Sequence, residues 1–260
     1  MLASIKRLLV KGFRQPLSII LFAAVLITPA VSKELRFAAT EWPPYSGANL
    51  KGNGFSPQLI RLIYSQYDYE IQIIILPWAR ALKGTVEGSY DGLLDAWYSA
   101  ERAEKMLFSK PYMNNRIKFI KLRNNDITFN QLSELKPYQI GIVQDYAYNK
   151  AFDTSTELTK IPERTFVINF YKLLHYRIDL TLEDELVARH EIKKISPLLL
   201  KEVDFLPKAL SENKLHIAFP KKNESLVDIF NSSLDEIQRN GSLLKLMLEH
   251  DFFVEPHPTL

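Results

Sequence analysis

Short apolar runs of strand length alternate with stretches of helical period along the chain. Residues 35–40 (LRFAAT) predict a first strand. It stops at Glu41-Trp42-Pro43-Pro44-Tyr45, where two prolines fix the backbone and predict a stiff loop displaying Trp42 and Tyr45. Residues 49–54 read as a turn. Ser56-Pro57 then reads as the cap and first residue of a helix, buried through Leu59, Ile60, Leu62 and Ile63. Residues 71–76 are β-branched and apolar on both faces, the pattern of a central strand. Pro77 opens a helix from Trp78 to about Glu87, stopped at Gly88. Residues 90–97 predict a third strand. Ser99 caps a short helix with Glu101 and Glu104 near its positive end.

The pattern then restarts. Residues 116–122 (RIKFIKL) alternate apolar and basic, which predicts a strand with one wet face. Thr128-x-x-Gln131 reads as a capping box opening a short helix. Residues 138–143 predict a strand, and Asp145-Tyr146 begin a turn into a helix. Residues 165–168 predict a strand, with Asn169 capping a helix that ends near Tyr176. Residues 178–182 predict a strand, and Asp184 starts a helix to Lys194. Two further strands are expected at 203–206 and 215–219. A long amphipathic helix, 224–240, is closed by Gly241, and Ser242 caps a last helix. Repeated strand–helix alternation marks parallel α/β layering. Two such units follow one another. The C-terminal helices are packed most economically by returning to the first unit, which gives two lobes joined by two strands.

The first 32 residues stand outside this pattern. Residues 1–16 carry Lys6, Arg7, Lys11 and Arg14 and no acid, and residues 17–27 are an apolar run. Pro29 and Ala30-Val31-Ser32 follow as a small-residue cleavage site, so residues 1–32 read as a secretory signal peptide. The alternative is an uncleaved anchor, but the run is short of the about 20 residues that span a bilayer. Losing the leader leaves 29 basic against 30 acidic residues, a net charge of −1 instead of +3. Without a dense Lys/Arg cluster nothing points to nucleic acid. The chain has no cysteine, which excludes disulfides, thiolate metal sites and a lipid-anchored cysteine. His175, His190, His216, His250 and His257 are scattered without metal-ligand spacing, and His216 reads as a core residue. There is no Gly-x-Ser-x-Gly and no Gly-rich phosphate loop, so neither metal nor cofactor is expected.

Six motifs carry a family resemblance: WPPY (42–45), GFSPQLI (54–60), DGLLDAWYSAERAEKMLFSKPY (91–112), QIGIVQ (139–144), RIDLTLEDELVA (177–188) and the stretch from LHIAF to KLM (215–247). In this order they resemble the family 3 periplasmic solute-binding proteins, the receptors of polar amino acid ABC importers. The resemblance implies an α/β, two-lobed periplasmic binding protein fold of type II. It implies a ligand cleft between lobes and hinge strands at about 116–122 and 214–220. Lobe 1 would comprise 33–118 and 218–260, and lobe 2 residues 119–217. The implied protein is a monomeric periplasmic receptor, not an enzyme. Its partners would be a small polar, carboxylate-bearing ligand and an ABC permease or membrane sensor.

In that family the Ser-x-x-Arg of a short helix holds the ligand's α-carboxylate, here Ser99 and Arg102. A hydroxyl, a helix N-terminus and a guanidinium fork suit one anion. The alternative for Arg102 is a surface ion pair with Glu101 or Glu104. Asp184 matches the aspartate that receives the α-ammonium, or it is a plain N-cap. Trp42, Tyr45, Trp78 and Trp97 lie at strand ends or helix starts, where they either sandwich a ring or cation or pack in the core. Arg80 is a second anion contact or a solvated side chain. Glu41 takes a ligand cation or caps an amide. Asp145-Tyr146 replaces the family's Gly-Thr or Gly-Ser and offers an acceptor and a ring. The alternative function is a cleft enzyme resembling cyclohexadienyl dehydratase, with Glu41, Asp145 or Asp184 as acid or base. An interaction module unrelated to small ligands fits the paired units poorly.

Overall fold

The computed structural model describes residues 33–144, 146 and 148–252. The expected signal peptide, Asp145 and His257 lie outside the described residues.

Among the described residues nine strands form one sheet, in the order β2-β1-β3-β9-β5-β8-β6-β7 with β4 also paired to β9. The first half contains β1 (Lys33–Ala39), β2 (Tyr69–Ile75), β3 (Gly92–Trp97) and β4 (Met106–Phe108). The second contains β6 (Gln139–Val143), β7 (Thr159–Glu163) and β8 (Leu180–Asp184). Between them run β5 (Met113–Leu122) and β9 (Val203–Pro220). β1 pairs parallel with β2 and β3, and β6 pairs parallel with β7 and β8. The joining ladders are antiparallel. Two parallel α/β units are thus joined by two antiparallel strands, as the repeated alternation implies.

Each half has apolar packing on both faces. In the first, α1 (Phe55–Tyr64), α7 (Glu224–Arg239) and α8 (Ser242–Glu249) enclose a cluster that includes Phe37, Ile60, Phe219 and Phe230. Tyr64 donates to the Leu226 carbonyl at 2.8 Å, fixing α1 to α7. The C-terminal helices therefore do return to the first unit. On its other face α2 (Trp78–Val86) packs Ala81 against Leu93 and Ala218. In the second half Phe152 of α4 (Lys150–Asp153) covers one face. The other is covered by α5 (Phe166–Leu174) and α6 (Glu185–Ile195). Gly241 takes φ 81° where α7 turns directly into α8, a conformation that disfavours a side chain.

Several local expectations are corrected. β2 is an edge strand, and Ile71, Ile73 and Ile75 pack against the first cluster from one side. β5 is exposed only at Asn114 and Arg116, and farther along that face Lys118, Ile120 and Leu122 are buried, with Glu185 of α6 against Lys118. Its Lys118 is buried and paired with Glu185 at 3.0 Å, which is why a basic residue tolerates that position. Residues 165–168 begin α5, since Thr165 caps it through the Ile168 amide, and the strand lies earlier as β7. Asn169 sits inside α5 and donates to the Ile142 carbonyl. The runs at 203–206 and 215–219 are one strand of 18 residues. Gln131, not Thr128, precedes the 3₁₀ turn Leu132–Leu135. α1 is capped by Gly54, because the Ser56 hydroxyl is taken by a buried carboxylate.

Glu185 also accepts from Arg189, but Lys118 has been removed from water and depends on this carboxylate. Glu185→Leu should lower urea stability by about 3 kcal/mol by stranding that ammonium, whereas the Lys118→Met/Glu185→Leu double variant should recover most of the loss. Equal stability of the single variant and the parent would contradict the pairing.

Candidate functional site

Near its end β3 departs from regular pairing between Leu93 and Ala96, and Asp95 takes φ 57°. The distortion turns the Asp95 carboxylate inward. Oδ1 accepts from the hydroxyls of Ser56 and Tyr112, and Oδ2 accepts from Ser46 at 2.8 Å. Three separate segments are tied to one point: the loop after β1, the start of α1 and the lead into β5. Burial pushes the Asp95 carboxyl above its ordinary pKa, and the three hydroxyls pull against that rise.

Beside Asp95 opens a cavity of about 660 Å³ at the carboxyl ends of β1, β2 and β3. Thr40, Glu41 and Trp42 line it from the loop after β1, and residues 75–78 from the β2–α2 junction. Asp95 and Trp97 line it from β3, and Arg102 from α3 (Ala100–Ala103). All three tryptophans of the chain are in its wall. The Trp42 ring lies 4.6 Å from that of Tyr45 and meets Trp97 edge-on at 6.4 Å. The Arg102 guanidinium lies over the Trp78 ring at 5.2 Å, and its Nη1 donates to the Trp97 carbonyl at 2.8 Å. These contacts hold a cation at the wall of an otherwise largely apolar cavity. The Trp97 indole nitrogen is buried without an acceptor.

Of the expected contacts, Glu41, Trp42, Trp78, Trp97 and Arg102 are brought together here. Ser99 acts one step back: its hydroxyl accepts from the Arg102 amide and caps α3. Glu41 stands exposed at the rim and accepts from the Ala48 amide. Arg102 turns inward to Trp97 instead of pairing with Glu101 or Glu104.

Four expectations fare differently. Arg80 is exposed on α2 and does not line the cavity, because the helix turns it outward. Tyr45 is not displayed. It is fully buried, with its hydroxyl donating to Asp184 at 3.0 Å. Asp184 is no open ligand contact. Its Oδ1 accepts from Tyr45 and from the Leu186 and Val187 amides, while Oδ2 accepts from Asn115 and the Arg116 amide. Tyr146 is 52% exposed, 5.8 Å from the Tyr148 ring, and outside the cavity. Burial, then the Glu183 charge, pushes its phenol up.

Sequence reasoning missed Asp95, whose signal was an acid inside the apolar run GLLDAW. It also missed Glu183, a buried acid that accepts from the Asp184 amide. His216 is a satisfied core residue, as its place in an apolar strand implies, bonded through Nδ1 to the Ser109 carbonyl at 2.7 Å.

Residues 35–251 match the family model of the bacterial extracellular solute-binding proteins, family 3, and the chain belongs to that family. It is 25% identical to the L-cystine-binding protein TcyJ of Escherichia coli K12 over 211 residues, 79% of this chain and 77% of that protein. It is also 25% identical to a probable histidine-binding protein of Campylobacter jejuni over 208 residues, 76% of this chain and 78% of the other. A solved ABC uptake transporter substrate binding protein from Streptococcus pneumoniae with bound histidine aligns at TM-score 0.64 and 17% identity, covering 83% and 91% of the two chains. The fold is accordingly the two-lobed type II periplasmic binding protein fold, with β5 and β9 as the joining strands. The named relatives are binding proteins, not enzymes, and this chain is a solute-binding protein.

The buried acids give a pH dependence whose sign is fixed. Burial raises Glu183 to about 8 and Asp184 to about 6, against Asp184's own five hydrogen bonds. The unfolded chain ionises near pH 4, whereas the folded chain holds these protons longer. Raising the pH through 4–8 therefore favours unfolding. Urea stability should fall by about 5 kcal/mol between pH 5 and pH 8, and Glu183→Gln should remove most of that slope. A flat profile in the parent protein would contradict the assignment.

Proposed function

We propose that this chain is a monomeric periplasmic receptor that captures a small carboxylate-bearing solute between its lobes and presents the closed form to an ABC permease or a membrane sensor. The observation that carries this reading is Arg102, held over Trp78 and against the Trp97 carbonyl in the wall of the cavity. A guanidinium has five donors in a planar fork matched to a carboxylate. Cystine and histidine, named for the relatives, both bear an α-carboxylate.

Lobe 1 would comprise residues 33–118 and 218–260, and lobe 2 residues 119–217, so β5 and β9 both cross the boundary. The solute docks first on lobe 1, through Arg102 and the tryptophan wall. Rotation about the two strands then brings up lobe 2, with exposed Tyr146 after β6 as an offered side chain. Closure excludes water from the ion pair and so strengthens it. The partner distinguishes closed from open, and the ligand shifts the population toward closed. The basic leader, residues 1–32, directs export, and the mature protein is free in the periplasm.

Arg102→Ala should weaken calorimetric binding of a carboxylate solute by at least about 100-fold. Its far-ultraviolet circular dichroism and melting temperature should stay those of the parent, because the residue is only half-buried. Unchanged affinity in a folded variant would end the carboxylate assignment.

A further inference from the structure

We infer that the site is built for a planar organic acid without an ammonium group, an aromatic or otherwise unsaturated carboxylate instead of an α-amino acid. This deepens the receptor reading and rests on it.

The inference follows from where the charged groups are spent. A zwitterion needs a donor for its carboxylate and an acceptor for its ammonium. The cavity supplies the first. Arg102 gives one N–H to the Trp97 carbonyl, and the guanidinium has further donors for an anion.

The second is taken. Asp95, the buried carboxylate in the cavity wall, already receives the hydroxyls of Ser46, Ser56 and Tyr112. Asp184, where the family resemblance puts the ammonium receptor, is buried beneath five donors from Tyr45, Asn115, Arg116, Leu186 and Val187. Glu183 beside it is buried, accepts from the Asp184 amide, and keeps its proton up to about pH 8. Glu41 remains at the rim, exposed, with Oε2 on the Ala48 amide. There a cation would stay in high dielectric and gain little.

The apolar wall fits a flat acid on the same terms. Trp42, Trp78 and Trp97 present ring faces and edges. A ligand cation seeking those faces would sit beside the Arg102 charge that already occupies Trp78, and be repelled by it. A neutral ring has no such conflict. The Trp97 indole N–H has no exposed surface, so Trp97 offers the cavity carbon surface and adds no acceptor for a cation.

The test uses a matched pair. Phenylpyruvate and L-phenylalanine differ at one position, a keto oxygen against an ammonium. Both are titrated calorimetrically into the exported full chain, with benzoate, L-arginine and putrescine as companions. Phenylpyruvate should bind at least about tenfold tighter than L-phenylalanine, and the two cations should not compete with it. Tighter binding of L-phenylalanine or L-arginine overturns the inferred ligand class while leaving the receptor reading intact. Phenylpyruvate binding that survives Arg102→Ala in full overturns the carboxylate reading itself. Absence of binding by every aromatic acid overturns the inference.

Discussion

Taking a carboxylate out of water costs several kcal/mol unless donors replace its hydration shell. Asp95 meets that demand with three hydroxyls, from Ser46, Ser56 and Tyr112. Those residues belong to three segments, two of them close in sequence and the third beyond β3 and β4, so the desolvation penalty becomes a geometric constraint: all three must arrive together. Once they do, the loop after β1 is fixed beside the end of β3, and Trp42 is fixed opposite Trp97. The positive φ at Asp95 and the break in the β3–β9 ladder are the local strain that this convergence requires.

A second buried carboxylate does the corresponding work between the halves of the sheet. Asp184 ends β8, caps α6 and accepts from Asn115 and Arg116 on β5. It also accepts from Tyr45, three residues from the cavity residue Trp42. A contact felt at Trp42 is thus one aromatic packing step and two hydrogen bonds from β5, one of the two joining strands. The use of both acids as internal acceptors leaves the cavity with a cation, aromatic surface and little accessible negative charge. The acid preference proposed above rests on this use of the two carboxylates.

The parallel alternation, the restart after residue 122 and the return of the C-terminal helices were all legible in the sequence, because they depend on periodicity and on chain economy. So was the cluster of Trp78, Trp97, Ser99 and Arg102, which lies within one stretch. What could not be read is tertiary. Tyr45 and Asp184 look like ligand contacts until each is seen to satisfy the other, 139 residues apart. Lys118 reads as a wet face until Glu185 neutralises it. β2 reads as central because an edge strand packed on one side by a helix is as apolar as a buried one. Arg80 is nearer a tryptophan in sequence than Arg102 is, yet α2 leaves Arg80 exposed while α3 brings Arg102 to the cavity.

The central claim is that ligand occupies the cavity walled by the three tryptophans and Arg102 in lobe 1. Selective ¹⁵N-indole labelling tests it directly, because the protein has three indole N–H groups and all three residues line the cavity. A ligand that saturates by calorimetry should shift all three indole resonances along one binding curve. Saturable binding that leaves the three resonances unmoved would place the ligand elsewhere and contradict the account.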